Sequence, residues 1–296
     1  MSSISFEKEV VPERDLTVVE SEGTLPMRRS RSRRLPLTLV LAWAVLALVA
    51  LWALAPGLFT AYSGTDGIAG AQRLAPSAEH WLGTDPLGRD LYARIVYGAS
   101  QTLTGALVAV ALGGVAGTAL GVCSGTLGGV VDTALMRLVD VLLSIPGLLL
   151  ALSVIMLLGF GTVNAAIAVG ITSVANFARL ARAEVIRVRH SDYVEAAYGS
   201  GGGFWAVLWR HILPNSLGPV IALSALQFGS AILAIATLSF LGYGTPPPTP
   251  EWGLLIAEGR NYLATAWWLT TFPGLVVIAV VLAANRISHA LGRRRL

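Results

Sequence analysis

The sequence predicts an all-α, polytopic integral membrane protein with six transmembrane helices and one short helical element outside the bilayer. Three observations predict it. Of the 296 residues, 54% are hydrophobic and 13% charged, and the mean hydropathy is +0.68, more apolar surface than a soluble domain can hide. The apolar residues fall in long runs, the first of them Leu35 to Ala55 without a charge, enough to cross a hydrocarbon core about 30 Å thick. The charges fall between the runs. Of 21 Lys and Arg, only Arg73, Arg89, Arg94 and Arg260 lie on the side opposite the two termini, as the positive-inside rule requires.

Composition also excludes function classes. Cys123 is the only cysteine, so neither a disulfide framework nor a cysteine-cluster metal site is expected. His80, His190, His211 and His289 are scattered, without the close pairing that metal sites use. Lys8 is the only lysine, and it lies in the polar tail, so no Walker A loop is present. The net charge of +4 reflects where the arginines sit and not a general basicity, and no nucleic-acid partner is expected.

Taken in order, residues 1–34 are acidic and then basic, at Arg28, Arg29, Arg31, Arg33 and Arg34. This tail reads as disordered and cytoplasmic. The run behind it is too long for a secretory signal and lacks a small-residue cleavage site. Residues 35–56 are therefore the first span, with the N-terminus cytoplasmic. Residues 57–98 form an external segment. In it, Asp85 and Pro86 read as the N-cap and first residue of a helix, with Asp90 and Arg94 one turn apart beyond them.

Residues 99–290 hold five more spans. The second runs from about Thr102 to Ser124, and Gly113, Gly117, Gly121 and Gly125 recur along it every four residues. Small residues at that spacing permit close helix contact in lipid, either within the bundle or against a partner. The third runs from about Ala134 to Leu158 behind Asp132, Arg137 and Asp140. Arg137 can pair with Asp140, and Pro146-Gly147 kinks or breaks the span. The fourth, about Val163 to Ala178, is short and exits into Arg179, Arg182, Arg187 and Arg189. The fifth, about Leu217 to Leu241, carries Ser224, Gln227 and Ser230, which either line a pathway or bridge helices. Trp252 follows at interface level, then an amphipathic stretch through Glu258 and Arg260. Trp267 and Trp268 start the sixth span, and residues 291–296 are a cytoplasmic basic tail.

A polar loop, residues 190–215, interrupts this pattern. Tyr193 to Tyr198 favours a short helix, Gly199 and Gly201 to Gly203 force a turn, and Phe204 to Leu213 is helical again. Pro214 stands where a helix can begin. Trp205 and Trp209 lie one turn apart, so this helix–turn–helix is shaped to dock onto something else.

Glu195-Ala196-Ala197, Gly201 six residues after the glutamate, and Leu213-Pro214 resemble the EAA loop of ABC importer permeases. HWLGTDPLGRDLYARIVYGASQTL from His80 and the wording from Leu241 to Gly274, with PPTPEWG and FPG, resemble the dipeptide/oligopeptide branch, C-type subunit. The resemblance covers most of residues 35–290. It implies the type I importer permease fold in a bacterial plasma (inner) membrane, and a peptide substrate. Its partners would be a second homologous permease, two ATP-binding subunits that use ATP and Mg, and an extracytoplasmic substrate-binding protein. This chain would bind no cofactor and catalyse nothing. Glu195, Ala196, Ala197 and Gly201 would couple to the ATPase, and Leu213 and Pro214 would fix the loop's angle against the fifth span. The same architecture also serves nickel, glutathione and other small solutes.

Two other classes compete. A stand-alone secondary transporter needs acidic or histidine residues at depth, yet no charge lies between Arg210 and Glu251 or between Arg260 and Arg286. An intramembrane enzyme finds no serine, histidine and carboxylate together at depth. The importer reading is the one that the residues favour.

Overall fold

The computed structural model describes residues 37–293. The expectations for the tail at residues 1–34 and for most of the tail at 291–296 lie outside the described residues. Those described are helical and turn structure without a named strand. Among the described residues, five long helices are apolar enough to span a membrane: Leu37–Leu54 (α1), Leu91–Leu127 (α2), Thr162–Arg189 (α5), the unit Phe204–Phe240, and Trp268 onward (α10). A sixth crossing is broken, with Gly129–Ser144 (α3) and Gly147–Leu158 (α4) meeting at 95°. Its cause is Pro146. A proline has no N–H to donate and pushes the residue before it out of the helical region, and Ile145 is extended at φ −90°, ψ 128°.

The bundle is built on the seam between α2 and α5. A Cβ on Gly113 would meet Ser173 Cβ at 2.7 Å, on Gly117 Phe177 Cβ at 2.6 Å, on Gly121 Ala181 Cβ at 2.7 Å, and on Gly125 Val185 Cγ1 at 2.8 Å. All four glycines thus face α5 of the same chain, and the backbones come closer than any larger residue permits.

Several local expectations are corrected. The helix expected to start at Asp85-Pro86 begins instead at Leu91, as α2, and its N-cap is Asp90, whose Oδ1 accepts from Ala93 N–H at 2.8 Å. Asp85 instead accepts from Leu87 N–H and Arg89 N–H in a turn. Gly88 at φ +76° then stops any helix that Pro86 could start. Arg94 does not pair with Asp90. It reaches Asp85 at 2.6 Å and Glu258 at 2.7 Å, while Asp90 binds His80 at 2.9 Å. Nor does Arg137 hold Asp140, which pairs with Arg179 at 2.8 Å across helices.

α5 continues to Arg189, past the expected end of the fourth span at about Ala178, because Ala181, Val185 and Val188 prolong its buried face, and Arg179, Arg182, Arg187 and Arg189 sit on its last turns. Trp252 is fully buried and donates Nε1–H to Ile95 C=O at 2.9 Å. It is a core residue, not an interfacial one. It opens α9, Trp252–Gly259, which Glu251 caps by accepting from Gly253 and Leu254 N–H at 3.0 and 3.1 Å.

Candidate functional site

The polar loop is built on the far end of α5. Ser191 is extended, and Asp192–Gly199 (α6) follows with the acids Asp192 and Glu195 in its first turn, where they suit the positive end of the helix dipole. Gly201 then takes φ +86°, a conformation that strains any residue with a Cβ. The chain turns back, and Gly202 N–H donates to Ala197 C=O at 3.0 Å. A Cβ on Gly202 would stand 2.6 Å from that carbonyl, whereas Gly201 has open space around it. Gly201 therefore supplies the backbone angle and Gly202 the close approach. In the sequence, nothing separates Gly202 from Gly199 or Gly203.

Phe204–Val207 (α7) runs through a π-helical turn, Leu208–Ile212, into Leu213–Phe240 (α8). Pro214 lies in the first turn of α8 and cannot donate to Arg210 C=O. The widened π turn just before it accommodates the missing bond, so the fifth span is continuous with the loop's second arm. Val194, Val207, Leu208 and Ile212 pack with Val185 and Val188 of α5. Arg189 donates to Thr126 C=O at 2.8 Å, which ties the end of α5 to the end of α2.

This packing sorts the predicted residues. Glu195, Ala196, Gly201 and Pro214 are exposed, and Ala197 and Leu213 are half-buried at the edge. Glu195 takes part in none of the ion pairs among the described residues. Trp205 and Trp209 are 69% and 68% exposed. The element thus presents two exposed carboxylates, Asp192 and Glu195, that form no ion pair among the described residues, with a small-residue step and two tryptophans at the end of the bundle.

A second candidate site lies at the broken crossing. Gln227 and Ser230 line a cavity of about 360 Å³ with Thr172, Ser173 and Asn176 of α5 and Pro146-Gly147. The break leaves the first N–H groups of α4 without helical acceptors, so backbone and side chains together make this wall polar. Ser224 is not part of it. That residue lines a different, apolar groove of about 660 Å³ between α2 and α8, beside Cys123, Trp205 and Trp209. Asn176 is the residue that sequence reasoning missed. An amide inside an otherwise uncharged span was its one signal.

With these two sites in place, the comparisons decide the family. Residues 117–296 match the family described as binding-protein-dependent transport system inner membrane component. The chain belongs to this family.

Among its relatives, the probable D,D-dipeptide transport system permease protein DdpC of Escherichia coli (strain K12) is 40% identical over 84% of each chain. The glutathione transport system permease protein GsiD of Escherichia coli O1:K1 / APEC is 37% identical over 89% of this chain and 86% of its own. In fold, the chain resembles the crystal structure of an amino acid ABC transporter at TM-score 0.55 and 16% identity, over 69% of this chain and 94% of that one. This inner membrane component is accordingly a multi-pass transport subunit. Membership in a binding-protein-dependent system implies partners for permeation, ATP hydrolysis and solute capture.

Proposed function

We propose that the chain is the membrane-spanning permease subunit of an ATP-driven importer of di- or oligopeptides and forms half of the translocation pathway. The likeness to a D,D-dipeptide permease over 84% of the chain carries this reading. In it, both termini and the loop at residues 190–215 are cytoplasmic. Two ATPase chains bind ATP and Mg, and one of them receives α6 and α7 in a surface groove. Glu195 offers a charge for a polar partner, Ala196 and Ala197 allow close approach, and Gly201 holds the bend. Leu213 and Pro214 fix the loop to α8, so that a push on the loop moves a span.

The polar cavity at Gln227, Ser230 and Asn176 is the stretch of pathway that this subunit contributes. Amides and hydroxyls pair with peptide backbone without selecting a side chain, which suits passage of varied sequences. Closure of the ATPase dimer would draw two coupling loops together and rock the spans between two packed arrangements. An external binding protein would deliver the solute to the second permease and this one.

Affinity purification of a tagged chain from native membranes, followed by reconstitution, tests the proposal. A second permease in equal proportion and two ATPase chains for each permease pair, with ATP-dependent uptake of a labelled dipeptide, are expected. A chain that purifies alone and drives gradient-dependent uptake would overturn it.

A further inference from the structure

On the side of the bundle opposite the coupling loop, residues 55–90 fold back over the first turn of α2. Tyr92, two residues after the N-cap Asp90, is the floor on which the rings gather. Trp81 lies against it at 5.3 Å between centroids, and Trp52 meets both Tyr92 and Phe59 edge-on at 6.2 and 6.4 Å. Tyr62 covers His80 at 5.1 Å. The result is a cavity of about 220 Å³ walled by Phe59, Tyr62, Trp81 and Tyr92, with Glu79 and Asp90 among its lining residues.

Among the described residues, no lysine or arginine lines this cavity. The arginines nearest in sequence, Arg89 and Arg94, are committed to Asp85 and Glu258. Asp90 is almost fully buried, with one oxygen on His80 and the other on Ala93 N–H. Glu79 is exposed and takes part in none of the ion pairs among the described residues. Four aromatic rings beside Glu79, a carboxylate that pairs with no cation among the described residues, make the kind of environment in which an organic cation is held. The volume is below that of drug-sized pockets and fits the end of a side chain or a peptide terminus.

We propose that this cavity is a binding site for a primary ammonium group on a short alkyl stem. Its rings take the stem and the N–H-bearing head, and Glu79 supplies the counter-charge. This inference is independent of the pathway assigned to Gln227 and Ser230. Two sources carry such a group: the amino terminus of a peptide solute, and a lysine side chain of a protein that docks on this face.

The test uses the full chain with its co-purifying subunits in phosphatidylcholine nanodiscs, and n-butylammonium as probe. Saturable quenching of tryptophan fluorescence is expected, lost in Trp81→Phe, which keeps a ring but removes the reporter. The uncharged 1-butanol should quench at least tenfold more weakly. Glu79→Gln should weaken butylammonium at least tenfold with unchanged thermal unfolding, because Glu79 is exposed and caps nothing. Equal quenching by butanol, or wild-type affinity in Glu79→Gln, would overturn the site. Dialanine against its N-acetyl form, and Nα-acetyl-lysine amide, then separate the sources. Preference for the free terminus identifies a peptide solute, and binding of the lysine amide alone identifies a docking protein. If neither exceeds butanol, the site is refuted.

Discussion

Arg182 holds both carboxylate oxygens of Asp132, with Nε–H on Oδ1 at 2.5 Å and an Nη2–H on Oδ2 at 2.6 Å. Ser124 of α2 donates to the same carboxylate. Three helices are thereby fastened at one carboxyl group, on the segment that leads into the broken crossing. The planar guanidinium matches a carboxylate in a way that an ammonium cannot. Both side chains are partly exposed, 33% and 20%, so solvent screens the pair and a double-mutant cycle should give a coupling of only about 1 kcal/mol. Arg182→Lys should lose most of it. A coupling of zero in detergent-solubilised protein would show that the clamp is not structural.

Gly201 and Glu195 are expected to separate coupling from folding. Gly201→Ala meets no neighbour, so its cost is the left-handed strain alone, about 1–2 kcal/mol. Gly202→Ala carries no such strain, but its Cβ would overlap Ala197 C=O at 2.6 Å, at a cost of about 1–3 kcal/mol. Glu195→Ala removes no ion pair among the described residues and should stay within about 0.5 kcal/mol of wild type. In the reconstituted complex, Glu195→Ala and Gly201→Ala should lower uptake per ATP hydrolysed. Unchanged uptake in both would remove the loop from the coupling mechanism.

How much of this was legible follows from which forces leave local marks. The positions of the apolar runs, the break at Pro146 and the bend at Gly201 are written in hydropathy, in a missing N–H and in glycine's freedom, and each can be read from a few adjacent residues. The full helices α2 and α5, by contrast, extend well past the apolar runs that mark them. The partners of Asp132, Asp140 and Arg94 cannot be read in that way. A charge in a polar stretch is equally consistent with a neighbour one turn away and with one 50 residues on, and here the distant partners won. Trp252 misled for a related reason. An aromatic residue after a proline run reads as an interfacial anchor, but a buried acceptor at Ile95 C=O satisfied its N–H and let it enter the core. Ser224 and Gln227 are three residues apart on one helix, yet they line different cavities, because each cavity is shaped by whichever helix faces it.

That divergence gives a direct test of the pathway. In a Cys123→Ser background, Gln227→Cys and Asn176→Cys should react with a membrane-impermeant thiol reagent in inside-out or right-side-out vesicles, and a transported peptide should protect them. Ser224→Cys, in a groove walled mainly by apolar side chains, should react at least tenfold more slowly. The reverse order of reactivity would place the aqueous path between α2 and α8.

Glu251 offers the last test, through pH. Its carboxyl group is fully buried, and burial pushes its pKa above the ordinary value of 4.5 despite hydrogen bonds from Gly253 and Leu254 N–H and from Thr102. A carboxyl group raised on folding binds its proton more tightly in the folded state than in the unfolded one. Its contribution to stability is therefore complete below the unfolded pKa and is lost as pH rises through the folded value. Thermal unfolding in mild detergent should fall from acid toward neutral pH in the wild type, and Glu251→Gln should flatten that slope. The glutamine keeps only one acceptor oxygen for two N–H groups at the start of α9, so at low pH it should be the less stable protein, by about 1 kcal/mol. The two curves should then converge as pH rises. Parallel curves at every pH would mean that Glu251 is as well solvated folded as unfolded, and that the close packing of α9 against α2 imposes no cost on its charge.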